Sequence, residues 1–141
     1  MPYAQNTTVP VEKSRLEIEK LLQRHGAAQF ISGWDAGRAV IGWSMKGRMV
    51  RVTLPMPDTK LTSNKYDQET RRRWRALALI IKAKLEAVAS GIATFENEFL
   101  AWTMLPDGTT VGAWAGPQIA EAYKSGLMPK LLPGLPAPKE P

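Results

Sequence analysis

The chain has 141 residues, 44% of them apolar, and its 19 Lys and Arg against 13 Asp and Glu give a formal net charge of +6. That length suits one domain with a proper core; the absence of cysteine excludes disulfides and thiolate zinc sites, and a single histidine, His25, cannot build a transition-metal cage. No apolar run approaches the ~20 residues that span a bilayer, and the opening MPYAQNTTVPVEK lacks a signal-peptide pattern, so the expectation is a soluble, cytoplasmic protein with no membrane partner.

The charge is unevenly placed. Arg38 to Lys84 holds twelve Lys and Arg against Asp58, Asp67 and Glu69, a local +9 that leaves −3 for the rest of the chain. A basic middle between mildly acidic ends attracts polyanions or acidic protein surfaces at long range.

In chain order, residues 1–10 read as a loose arm, 11–127 as one domain and 128–141 as a Pro-rich tail. Pro10 introduces a helix over Val11 to His25, with Leu16, Ile18, Leu21 and Leu22 as its apolar stripe, Gly26 as its stop and His25 as a cation at the negative end of the helix dipole. Three strand-like segments follow: Ala27 to Trp34, Arg38 to Met45 and Arg48 to Leu54. Lys46-Gly47 suits a two-residue turn, which sets Trp43 against Val50, Ile41 against Val52 and Ala39 against Leu54. A three-residue first turn at Asp35-Ala36-Gly37 would set Ile31 against Ile41 and Phe30 against Gly42. Ile31, Ile41, Trp43, Val50, Val52 and Leu54 then face the helices. The opposite side carries Phe30, Trp34, Arg38, Val40, Gly42, Met49, Arg51 and Thr53, an interleaving of rings and arginines suited to single-stranded nucleic acid. On that face Phe30 either stacks a base or covers Gly42, Trp34 either stacks or lies against Arg38, or another helix covers the whole surface.

Pro55 to Tyr66 has no period and reads as a loop of about twelve residues. Asp67 to Gly91 is the longest periodic segment, with Trp74, Leu77, Ala78, Ile81, Leu85 and Val88 on one face, Asp67 or Thr70 as cap and Gly91 as stop. Its first turns hold Arg71, Arg72, Arg73 and Arg75, which oppose the helix dipole. Spacing pairs Asp67 with Arg71 and Glu69 with Arg73, leaving Arg72 and Arg75 without an obvious partner. Arg71, Arg75 and Lys82 form a stripe that suits a phosphate backbone, though a solvated face is the plainer reading. Beyond it, Thr94 caps a short helix with Phe95 and Phe99 inward, and Pro106-Asp107-Gly108 turns a small hairpin. A last helix spans Trp114 to Ser125, with Pro117 near its first turn and Ile119, Ala122 and Tyr123 inward. Trp114, beside Gly112 and Gly116, is the tryptophan expected to be exposed, and MPKLLPGLPAPKEP reads as an extended tail.

The fold class implied is α+β: a three-stranded antiparallel meander on one long helix, with short flanking helices and a C-terminal hairpin extending the sheet. The core RRRWRALALIIKAKLEAV, the segment Gly91-Ile92-Ala93-Thr94-Phe95-Glu96, then LPDGTTVG and MPKLLPG together resemble a family of small, uncharacterised basic proteins encoded by bacteriophages and prophages. The resemblance spans Val11 to Gly134 and implies a phage or infected-cell setting. It transfers no catalytic or binding residues.

No nucleophile motif or phosphate-binding Gly-rich loop is present, and the enzymatic route left is a Mg²⁺ nuclease requiring Asp35, Asp58 and Glu69 to converge. The reading is therefore a non-enzymatic, cofactor-free nucleic-acid binder, non-specific or single-strand preferring, in which Arg38, Arg51, Arg71, Arg72, Arg75 and Lys82 meet phosphates and Phe30 and Trp34 meet bases. The alternative is a phage protein that binds and inhibits a host or defence protein, setting its basic face against an acidic surface of the partner with the apolar tail as an anchor. Open sheet edges and the apolar tail suggest a homodimer.

Overall fold

In the computed structural model, residues 7–35 and 37–128 are described. The elements run α1 (Val11–Arg24), β1 (Gln29–Asp35), β2 (Arg38–Met45), β3 (Arg48–Pro55), α2 (Ser63–Ala89), α3 (Phe95–Glu98), a single 3₁₀ turn (Leu100–Trp102) and α4 (Val111–Ser125). The strands form an antiparallel meander in the order β1-β2-β3, and the fold is α+β with α2, at 27 residues, as its longest element. Ala39, Ile41, Trp43, Met45 and Val50 from the sheet form one buried cluster with Ile18, Leu21 and Leu22 of α1 and Trp74, Leu77, Ala78, Ile81 and Leu85 of α2.

The β2–β3 register follows the turn chemistry. Lys46 and Gly47 take φ of 51° and 76°, the two left-handed residues that a tight hairpin turn of matching twist needs. Trp43 therefore pairs with Val50, Ile41 with Val52 and Ala39 with Leu54.

The β1–β2 register differs from expectation by one residue. Asp35 belongs to the strand and pairs with Arg38, so the first connection has two residues rather than three, and Gly37 turns the chain at φ 79°. Because side chains alternate with a period of two, this single step moves all of β1 to the other face. Phe30 pairs with Trp43 and Trp34 with Ala39, so both lie on the helix-covered side, while Ile31 pairs with Gly42 on the bare face and is 62% exposed.

Helix α2 begins at Ser63, earlier than expected, because Thr62 is its cap and accepts a hydrogen bond from the Lys65 amide at 3.4 Å. The irregular segment before it shortens to residues 56–62. Thr70 lies inside the helix, its hydroxyl donating to the Tyr66 carbonyl at 2.8 Å. In α1, Leu16 is 47% exposed and Ser14 is buried in its place, while His25 Nδ1 donates to the Leu21 carbonyl at 2.9 Å and so closes the helix end.

The C-terminal third hangs on an aromatic cluster. Thr94 caps α3, and Phe95 and Phe99 turn inward as expected. Phe99 meets Trp43 edge-on at 5.9 Å and Trp102 at 5.9 Å, and the Lys84 ammonium sits 4.8 Å from the Trp102 ring while donating to the Glu98 carbonyl at 3.0 Å. The expected hairpin is reduced to isolated bridges, Val50 with Thr103 and Met104 with Thr110, closed by Leu105 N–H to the Thr109 carbonyl at 2.7 Å. Helix α4 starts at Val111 under a Thr110 cap, so Pro117 falls in its interior rather than its first turn. It buries no residue: Ile119 is 52% exposed and Tyr123 88%, against the inward placement expected, while Trp114 is half-buried rather than exposed. The Pro-rich stretch from Pro129 onward lies outside the described residues.

Candidate polyanion-binding face

Lys13, Glu17, Lys20 and Arg24 are separated by steps of four, three and four, which at about 100° per residue puts them on one side of α1. Arg71, Arg75 and Lys82 share a flank of α2 by the same rule. The two flanks are joined by an ion pair between Glu17 and Arg75, whose side chains are 34% and 25% exposed. Two helical turns further along each helix, Arg24 and Lys82 approach the same groove. This groove, of about 360 Å³, is lined by Lys13, Lys20, Arg24 and Lys82, with Leu16 and Glu17 between them. Its one acid is already neutralised by Arg75, and none of the four cations has an ion pair among the described residues. Unpaired like charges along a concave surface raise the local potential and draw in anions.

The arginines expected to contact phosphates separate into two groups. Arg72 binds Glu69 through Nε at 2.8 Å, and Arg73 binds the same carboxylate at 3.0 Å and also donates to the Pro55 carbonyl. This network holds the Glu69 carboxyl at about 2, below its ordinary 4.5, chiefly through the Arg72 hydrogen bond and against the cost of desolvation, and it raises Arg72 in turn. Arg72 and Arg75, the two without partners by sequence spacing, are thus both paired in the fold, with Glu69 and Glu17, whereas the expected Asp67–Arg71 pair does not form among the described residues. Arg71 stays half-buried one turn before Arg75, and Lys82 is exposed in the groove. Arg51 lies opposite Gly42 on the bare face, with its Nε buried and without a hydrogen-bond partner, away from the α2 cations.

Phe30, Trp34 and Arg38 line a second set of hollows, on the other flank of α1. A space of about 400 Å³ lies between α1 and β1 beside Phe30, Arg15 and Leu16. It shares Glu12, Arg15 and Ser32 with a larger cleft of about 640 Å³ that reaches Trp34, Arg38, Tyr66 and Trp74. The aromatic platform expected on the outer sheet face is therefore not built there. The two-residue turn carries Phe30 into partial burial against the core and leaves Trp34 at a rim, 88% exposed.

Lys13, Lys20 and Arg24 were not among the residues singled out from sequence, although their spacing in VEKSRLEIEKLLQR already places them together. Among the described residues no group of three or more His, Asp or Glu gathers as a metal site would require, and no helix is long and apolar enough to cross a membrane. No protein-family model matches this sequence, and neither a curated protein nor a solved structure matches it.

Proposed function

We propose that this protein is a non-enzymatic nucleic-acid binder whose phosphate-contacting surface is the groove between α1 and α2. The observation that carries the reading is the convergence of Lys13, Lys20, Arg24 and Lys82 on one groove whose sole acid, Glu17, is held by Arg75. A phosphate chain displaces counterions from such a groove, so binding is salt-sensitive and largely indifferent to sequence. Arg71, next in line on α2, extends the track. Arg75 acts as a support for the groove rather than as a contact, because releasing it would strand Glu17, and Arg72 is likewise held by Glu69. On the resemblance to phage-encoded proteins, the setting we propose is the cytoplasm of an infected bacterium.

The test is a titration of the full-length protein, freed of co-purifying nucleic acid, into labelled oligonucleotides over a range of salt concentrations. With about four phosphates neutralised, log K should fall with log salt at a slope of about −3. Lys20→Glu/Arg24→Glu/Lys82→Glu should abolish most of the binding while thermal unfolding stays close to that of the parent. No binding at low salt overturns the proposal, and the groove would then be read as a docking surface for an acidic host protein.

A further inference from the structure

Trp34 stands 88% exposed on the helix-covered side of the sheet, beyond the reach of the helices. An indole left in water forfeits the gain of burying a large apolar ring, and that gain returns when a flat partner covers it. The cleft it overlooks, about 640 Å³, has the buried Trp74 in its lining, with Tyr66 and the paired Glu12 and Arg15 alongside. Rings beside guanidinium groups are the pairing that holds a base and its phosphate together. The cleft and the basic groove lie on opposite flanks of α1, with the hollow beside Phe30 between them. The cleft shares Arg15 with that hollow, the hollow shares Leu16 with the groove of Lys13, Lys20, Arg24 and Lys82, and Leu16 on the crest is 47% exposed. Helix α1 is thus a ridge with cations on one flank and an aromatic cleft on the other, and its width of about 10 Å is within reach of a few nucleotides.

We propose that the Trp34 cleft is a nucleobase-stacking subsite and that the ligand is therefore single-stranded. The strand lays its phosphates along the α1–α2 groove and sends a base over the ridge onto the Trp34 ring, beside Arg15. A duplex keeps its bases stacked on each other and has none to offer. This inference rests on the nucleic-acid reading above.

Three labelled probes separate the two: a single-stranded oligonucleotide, the same strand made abasic so that phosphates remain without bases, and a duplex. Their binding to the full-length protein and to Trp34→Ala and Trp34→Phe is followed by fluorescence anisotropy. The natural single strand should bind about tenfold more tightly than the abasic strand, an advantage that Trp34→Ala removes and Trp34→Phe largely keeps. Binding of the abasic strand should be unchanged by either substitution, and because Trp34 is exposed both variants should unfold at the parent's temperature. If the abasic strand binds as tightly as the natural one, or Trp34→Ala leaves the difference intact, the stacking subsite is wrong while the phosphate groove stands. If none of the three probes binds at low salt, both proposals fall together.

Discussion

The two faces of one small sheet behave differently. Trp43 and Ile31 are large apolar residues on neighbouring strands, yet Trp43 has no exposed surface and Ile31 is 62% exposed. The covered face meets α1, α2 and the aromatic cluster of Phe99 and Trp102, and its margin against α1 leads to the clefts and the basic groove. The bare face bears Ile31, Val40, Met49 and Arg51 with Gly42 at its centre. Cations on the helical side converge, whereas Arg51 stands apart from them. What separates the two faces is neither composition nor charge, but which residues the hairpin turns send to which side.

The largest effect should come from cutting into the covered face. Trp43→Ala should cost about 3–5 kcal/mol in chemical denaturation, because it opens a cavity among Phe99, Trp102 and Val50. A loss below about 1 kcal/mol would mean that the cluster does not hold the C-terminal third to the sheet. Next comes the charge contrast. Reversing Lys20, Arg24 and Lys82 should weaken oligonucleotide binding by roughly a hundredfold at low salt, while Arg51→Glu should change it by less than about threefold. Equal losses from the two surfaces would erase the distinction between them.

A smaller effect tests the ion pairs around Glu69. Glu69→Gln should cost about 1 kcal/mol at neutral pH, a partly exposed network being weakened by solvent screening. The folded carboxyl sits at about 2, below its ordinary 4.5, so its contribution is complete above about 4.5 and is lost as pH falls toward 2. The variant should accordingly lose less stability than the parent over that acid window, as read by urea unfolding at several pH values. The smallest effect belongs to the bare face, where Ile31→Ser should shift stability by no more than about 0.5 kcal/mol. A loss comparable to Trp43→Ala would show that something covers that face in solution.

How much was legible varied with the kind of constraint. The buried stripe of α2, the caps at Thr94 and His25 and the β2–β3 pairing were readable because each depends on spacing or turn chemistry within a short window. Strand β1 was not, since QFISGWD offers an apolar residue to either face: Phe30 and Trp34 on one, Ile31 on the other. With no pattern to choose between them, the length of the turn decided. The start of α2 was missed because a cap at Thr62 lies in a stretch whose composition reads as loop. Helix α4 misled in the opposite direction, since Ile119 and Tyr123 have the spacing of a buried face that nothing among the described residues covers.

The candidate site divides along the same line. Sequence alone determined that the chain is basic in its middle, lacks the residues for thiolate zinc chemistry, and puts Lys13, Lys20 and Arg24 on one side of a helix, since these follow from residue type and from 100° per residue. Only the tertiary structure decided that this side meets Lys82, that Glu17 takes Arg75, and that Trp34 opens onto a cleft rather than a sheet face. Those outcomes depend on groups distant in the chain brought together by helix packing and by one two-residue turn, and no local periodicity encodes such a meeting.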